Sequence, residues 1–134
     1  MSGKEDLKVL MVDDLLLARH LLRMSLNKLG IVNIVEANNG LKALEMLEEC
    51  HAAGTPVNLI LCDINMPEMN GLQFLQTVRS DERFKNTPFV VVSVSSDSDS
   101  AQAALEAGAT EHFIKPLNAP VIEKKLAAIL KTIA

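Results

Sequence analysis

Four short stretches of the chain hold residues that could do chemistry. Asp13 and Asp14 are adjacent and follow the apolar run 7–12. Asp63 follows the run 57–62, and Lys115 follows 111–114 and precedes Pro116. Ser93 lies near the end of the run 89–94, with Ser95 just beyond it. Each alone has an ordinary role: Asp14 could cap a helix, Asp63 could sit in a turn, and a serine after a strand often caps the next helix. Together they are three carboxylates, a hydroxyl and an ammonium. Clustered carboxylates repel one another and raise each other's pKa values unless a cation offsets them. Oxygen-only ligands suit Mg²⁺, which keeps several waters and takes phosphate as a further ligand. A lysine opposite such an ion would help neutralise charge on a phosphoryl group. The chemistry suggested is phosphoryl transfer with an aspartate as nucleophile. Asp13 and Asp14 are placed as paired metal ligands, which leaves the isolated Asp63 as the acceptor.

Whether these residues meet depends on the elements that carry them. Short, nearly continuous apolar runs predict strands at 7–12, 33–36, 57–62, 89–94 and 111–114, of the kind covered on both faces in a parallel sheet. Helical periodicity predicts helices at 15–29, 41–49, 72–79, 101–107 and 119–133. Leu41, Leu44 and Leu47 fall roughly on one face, as do Ile122, Leu126, Ile129 and Ile133. Gly30 and Gly108 stand just past helices, where a left-handed residue is wanted. Asn39-Gly40 and Asn70-Gly71 could mark hairpins, but helical patterns follow them, so they read as helix starts. The segment 95–100 reads as a loop ending in a helix cap. Five strand–helix repeats with short links give a doubly wound α/β domain with a five-stranded parallel sheet, order 2-1-3-4-5. Ligands bind at the carboxyl ends of the strands in such folds, which is where all of the residues above lie.

At these positions the chain resembles the receiver domain of two-component response regulators, of the single-domain chemotaxis type. The motifs are Asp13-Asp14, then Asp63-Ile64-Asn65-Met66-Pro67-Glu68-Met69-Asn70-Gly71, then Ala107-Gly108-Ala109, and Lys115-Pro116. The resemblance runs from Leu7 to the last helix and implies a flavodoxin-like fold. It implies Asp63 as phosphoacceptor and a Mg²⁺ site made by Asp13, Asp14, Asp63 and the backbone carbonyl of Asn65. Lys115 and Ser93 would contact the phosphoryl group, Ser93 acting as the switch hydroxyl with Ser95 as second choice. Two positions depart from the usual pattern. Val94 stands where a small residue is common, so a branched side chain there is expected to slow access to the site. His112 stands where an aromatic switch residue is common. It reads first as a half-exposed strand histidine, and an imidazole there could also make the switch pH-sensitive.

Composition narrows the function. The chain has 134 residues, 49% apolar and 22% charged, with a net charge of −4. That length suits one domain, read here as a single receiver domain (1–134) with no output domain of its own. The apolar share excludes disorder, and the net negative charge argues against direct nucleic-acid binding. With no Trp, no Tyr and four Phe, stacking platforms for bases or flavins are scarce, and Asp13-Asp14-Leu15-Leu16 stands where a flavin carrier needs a hydroxyl-rich phosphate loop. There is no GxxxxGK loop for a nucleotide, and Asp97-Ser98-Asp99-Ser100 lacks the glycine and glutamate of a calcium loop. Cys50 and Cys62 make no disulfide framework; Cys62 reads as inert packing, Cys50-His51 lacks a second metal-binding pair, and a reducing cytoplasm is the expected compartment. No signal peptide or membrane span is evident, the longest apolar runs being far below the roughly 20 residues needed. Of Leu15-Leu16-Leu17, at least one is expected to pack in the core, and a small docking patch is the alternative.

The expected function is therefore a phosphorylation switch rather than an enzyme acting on outside substrates. It would take a phosphoryl group from a sensor histidine kinase and bind a downstream protein such as the flagellar motor switch. A phosphatase could reset it. The partner surface would be the face formed by helix 4, strand 5 and helix 5, with Glu106, Glu111, Lys124, Lys125 and Lys131. A phosphorelay intermediate, handing the group to another protein, is the alternative. An aspartyl-nucleophile phosphatase is disfavoured, because the position two residues after Asp63 is Asn65 rather than a second acid.

Overall fold

The computed structural model describes residues 7–64, 69–94, 98–115 and 117–133. Five strands, β1 (Lys8–Val12), β2 (Asn33–Ala37), β3 (Leu59–Asp63), β4 (Phe89–Val94) and β5 (Glu111–Lys115), alternate with five helices. These are α1 (Leu16–Lys28), α2 (Gly40–Ala52), α3 (Gly71–Ser80), α4 (Ser98–Glu106) and α5 (Ala119–Ile133). The strands are all parallel and lie in the order β2-β1-β3-β4-β5, as the sequence predicts.

The runs are nearly continuous in apolarity because alternate residues serve two cores. Val9, Met11, Leu59, Leu61, Val90 and Val92 face one side, where Leu22 and Leu26 of α1 and Ile122, Leu126, Ile129 and Leu130 of α5 cover them. Leu10, Val12, Ile60, Cys62, Phe89 and Val91 face the other, under Ala43 and Leu47 of α2, Phe74, Leu75 and Val78 of α3, and Ala104 of α4. Gly30 and Gly108 adopt φ of 89° and 109°, the left-handed conformation expected after α1 and α4.

The element bounds differ from expectation in ways that bear on the site. β3 begins at Leu59 rather than 57 and takes in Asp63, so the carboxylate is the last residue of the strand. β5 likewise takes in Lys115. α2 starts at Gly40, capped by the Asn39 side chain accepting from Lys42 N at 2.8 Å, and runs on to Ala52. Its inward stripe is Gly40, Ala43 and Leu47; Leu41 is exposed, so the three leucines do not share a buried face. α4 begins at Ser98, three residues earlier than predicted. Residues 98–100 are therefore a first turn rather than a loop, with Asp99 well placed against the helix dipole. Leu15, Leu16 and Leu17 are all exposed, at 56%, 72% and 71%, contrary to the expected core packing of one of them. The inward face of α1 is already supplied by Leu22, Ser25 and Leu26. Among the described residues, no helix is long and apolar enough to cross a membrane.

Candidate phosphoryl-transfer site

Register brings the strand ends level. Val12 pairs with Cys62, Asp63 with Val92, and Val94 with Lys115. Asp13, Asp14, Asp63, Ser93 and Lys115 consequently lie along the carboxyl edge of the three central strands and β5. Asp13 and Asp63 are buried, at 1% and 6% exposure, whereas Asp14 is exposed. One carboxylate oxygen from each of the three lies within 4.8 Å of the other two. Asp13, Asp14 and Asp63 are the acidic or metal-ligating cluster found among the described residues.

Backbone ties fix the two buried acids. Asp13 N donates to Ala37 O of β2 at 3.1 Å. Asp13 Oδ1 accepts from Leu15 N at 2.9 Å, while the N-cap of α1 is Leu15 with no side-chain cap. Asp14 therefore does not cap the helix. Its neighbour takes the local N–H instead, which leaves the Asp14 carboxylate out in the mouth of the site. On β3, the first residue of α3 lies almost against the strand end: a Cβ on Gly71 would stand 2.1 Å from Asp63 O. Gly71 N donates to Ile64 O at 2.8 Å, and Asn70 closes a reciprocal capping box with Gln73. Both Asn-Gly pairs thus start helices, as expected.

Lys115 Nζ stands between the buried acids, 3.2 Å from Asp13 Oδ2 and 3.4 Å from Asp63 Oδ2. Burial works against its charge, but the carboxylates of Asp13 and Asp63 outweigh that and hold its pKa above the ordinary lysine value. Three carboxylates against one ammonium leave two formal negative charges, the complement of a divalent cation. The donor set is all oxygen, so these residues fit Mg²⁺. Cys62 reflects the same field. Burial, then the charges of Asp63 and Asp13, push its thiol well up, and it is an inert packing group beneath the site.

Ser93 is buried at 1% exposure, and its hydroxyl is 2.6 Å from Nε2 of His112 on β5. His112 is half-buried, as expected of a strand histidine, but it is not an isolated one. Burial, with the Lys125 ammonium beyond, depresses its pKa, and Glu111 partly offsets this. Val94 ends β4 in register with Lys115. Asn65 and Ser95 lie outside the described residues.

Arg19 carries no signal in the linear pattern of residues. Its guanidinium donates to the main-chain carbonyl of Asp13 and, through Nε, to Glu36 Oε1 at 2.8 Å, and Arg23 also grips Glu36. An arginine on a helix face with a glutamate on an edge strand has no distinguishing spacing. The pair is recognisable only once β2 is known to lie beside β1.

An acid cluster bridged by a strand-end lysine, at the carboxyl edge of a 2-1-3-4-5 sheet, is the architecture of a phospho-signalling receiver. Residues 9–127 match the response regulator receiver domain, and the chain belongs to that family. It is 35% identical over 126 residues to the chemotaxis protein CheY1 of Helicobacter pylori, covering 94% of this chain and 98% of that protein. It is 31% identical to the CheY homologue of Campylobacter jejuni, covering 94% of each chain. The solved structure of the chemotaxis response regulator CheY4 of Vibrio cholerae superimposes with a TM-score of 0.78 at 29% identity, covering 92% of this chain and 98% of that one. The chain is thus a receiver domain of CheY type, among signalling proteins rather than enzymes.

Proposed function

We propose that this receiver is a switch set by a phosphoryl group on Asp63. The observation that carries the reading is the placement of Lys115 Nζ between Asp63 and Asp13, with Asp14 at the mouth. An Asp63 carboxylate oxygen attacks the phosphorus of a phosphohistidine on a sensor kinase. The P–N bond breaks, its electron pair stays on the donor imidazole, and that nitrogen takes a proton from water. Asp63 becomes an acyl phosphate. Asp13, Asp14 and Asp63, with the Asn65 carbonyl, would hold Mg²⁺, which supplies charge neutralisation on the phosphoryl oxygens when bound. Lys115 would shift its contact from Asp63 to a phosphoryl oxygen, and the Ser93 hydroxyl would donate to another.

Such contacts must favour one conformation over another to signal. Moving a population from about 1:99 to 99:1 takes ~5.5 kcal/mol of differential stabilisation, within reach of several charge-assisted contacts to one dianion. Output would pass through a partner surface on α4, β5 and α5. There Leu105, Ile114 and Val121 are exposed beside Glu106, Lys124 and Lys131. In a chemotaxis role, as the names of the relatives carry, the target would be a flagellar motor component.

Incubation with Mg²⁺ and acetyl phosphate, followed by mass spectrometry, is expected to show one added phosphoryl group. Asp63→Asn should show none. Persistence of the adduct in Asp63→Asn would remove the assignment.

A further inference from the structure

The contact between Ser93 and His112 does more than fill the space between β4 and β5. A serine hydroxyl has one proton to give. While Nε2 of a neutral imidazole is bare, it accepts that proton across the 2.6 Å contact, and the hydroxyl has nothing left to offer a phosphoryl oxygen. When Nε2 carries a proton the roles reverse. The imidazole N–H donates to Ser93 Oγ, and the hydroxyl proton is free to turn to a third group. The charged groups around the ring are Glu111 on its own strand and Lys125 on α5. β4 has no ionisable side chain, and α4 contributes Asp99 and Glu106, both exposed. A ring held between a nearby ammonium and a nearby carboxylate, and partly buried, favours the neutral form at neutral pH, so the bare and protonated states of Nε2 are both accessible.

Building on the proposed role of Asp63, we propose that His112 is a positioning residue for Ser93. It withholds the hydroxyl proton while Nε2 is bare and directs it to the phosphoryl group when Nε2 is protonated. Phosphorylation and proton occupancy of Nε2 are then reciprocally coupled, since each favours the other. The proton reaches Nε2 from solvent, giving the imidazolium. The hydroxyl moves from His112 to a phosphoryl oxygen without gain or loss of its own proton.

The test is an NMR titration of the imidazole nitrogens in the whole protein with Mg²⁺, with and without beryllofluoride as the phosphoryl mimic. The chain has three histidines, so His112→Phe assigns the signal. In the wild type, the mimic is expected to convert Nε2 of His112 from the bare to the protonated form and to raise the titration midpoint. In Ser93→Ala, which removes the hydroxyl link but not the added charge, most of that change should vanish. Binding of the mimic is read separately from its own fluorine signal. If it does not bind the wild type, the Asp63 reading fails. If it binds and Nε2 is unchanged, or changes equally in Ser93→Ala, the coupling alone is overturned. Should Ser93→Ala fail to take up the mimic, His112→Phe supplies the deciding measurement. The fraction phosphorylated by acetyl phosphate should vary between pH 6 and 8 in the wild type and be flat in His112→Phe. The same profile in both would overturn the proposal.

Discussion

Lys115 is where the charge balance of the site is settled. Its ammonium lies against two buried carboxylates and is itself mostly enclosed, with 16% of the side chain exposed. It stands in part for the cation that three clustered acids require, and it competes with any metal that arrives. Replacing it with the uncharged Lys115→Met should therefore have opposite effects on two measurements. Like charges a few ångströms apart repel by about 1–2 kcal/mol in water when one is divalent, so Mg²⁺ affinity by calorimetry should rise about tenfold. Transfer from acetyl phosphate should fall, because the phosphoryl oxygens lose a donor. A weaker Mg²⁺ affinity would mean that the lysine organises the carboxylates more than it repels the metal. The pH dependence follows from the raised pKa. A cation whose folded value exceeds its unfolded value stabilises the fold fully below the unfolded value and loses that contribution as pH rises through the folded one. The loss attributable to Lys115 thus falls in the alkaline range, above about 10, and leaves neutral pH untouched.

At the scale of elements, precision comes from where α3 begins. Gly71 sits so close to the end of β3 that a methyl group would collide with Asp63 O and with Ile64 Cα, at 2.1 and 2.7 Å, and neither is a flexible side chain. Gly71→Ala must displace either the helix start or the acceptor strand. It should cost about 1–3 kcal/mol in urea denaturation, as overpacking does, and slow phosphorylation. Asn70→Ala removes the cap alone and should cost about 1 kcal/mol with phosphorylation largely retained. If both variants behaved alike, the close approach at Gly71 would not position Asp63. Much of this was legible in advance. Apolar runs located the strands, the strand order followed from the common five-stranded doubly wound pattern and the family resemblance, and Asp13, Asp63 and Lys115 announced themselves by falling at strand ends. The rest depended on neighbours that a linear reading does not supply. Leu15, Leu16 and Leu17 suit a buried helix face by type, yet the sheet face is already filled by residues one and two turns on. Ser93 and His112 are separated by nineteen residues and meet only because β4 and β5 pair in parallel. Arg19 meets Glu36 only because β2 lies beside β1.

Across the whole molecule, the net charge of −4 conceals an uneven distribution. Residues 89–114 carry four acids and no Lys or Arg, whereas 115–134 carry four lysines and one acid, so a basic closing helix adjoins an acidic segment on the proposed output face. Three further acids are gathered at one edge of the sheet, with Asp13 and Asp63 almost wholly removed from water. Folding has to bring these charges together, and Lys115 offsets them incompletely. A ligand that binds this arrangement but not the unfolded chain stabilises the fold by mass action, by about 2.7 kcal/mol when present at 100 times its dissociation constant. Saturating Mg²⁺ should therefore raise the melting temperature, and the rise should grow with the logarithm of Mg²⁺ concentration. Asp13→Asn lowers the repulsion among the acids and removes a ligand at once. It should be at least as stable as the wild type without metal and respond little to Mg²⁺. Sodium chloride at matched ionic strength supplies the control, since general screening of the −4 charge would act on both proteins alike. An equal Mg²⁺ response in wild type and Asp13→Asn would show that the ion acts on surface charge at large and not on the cluster at the strand ends.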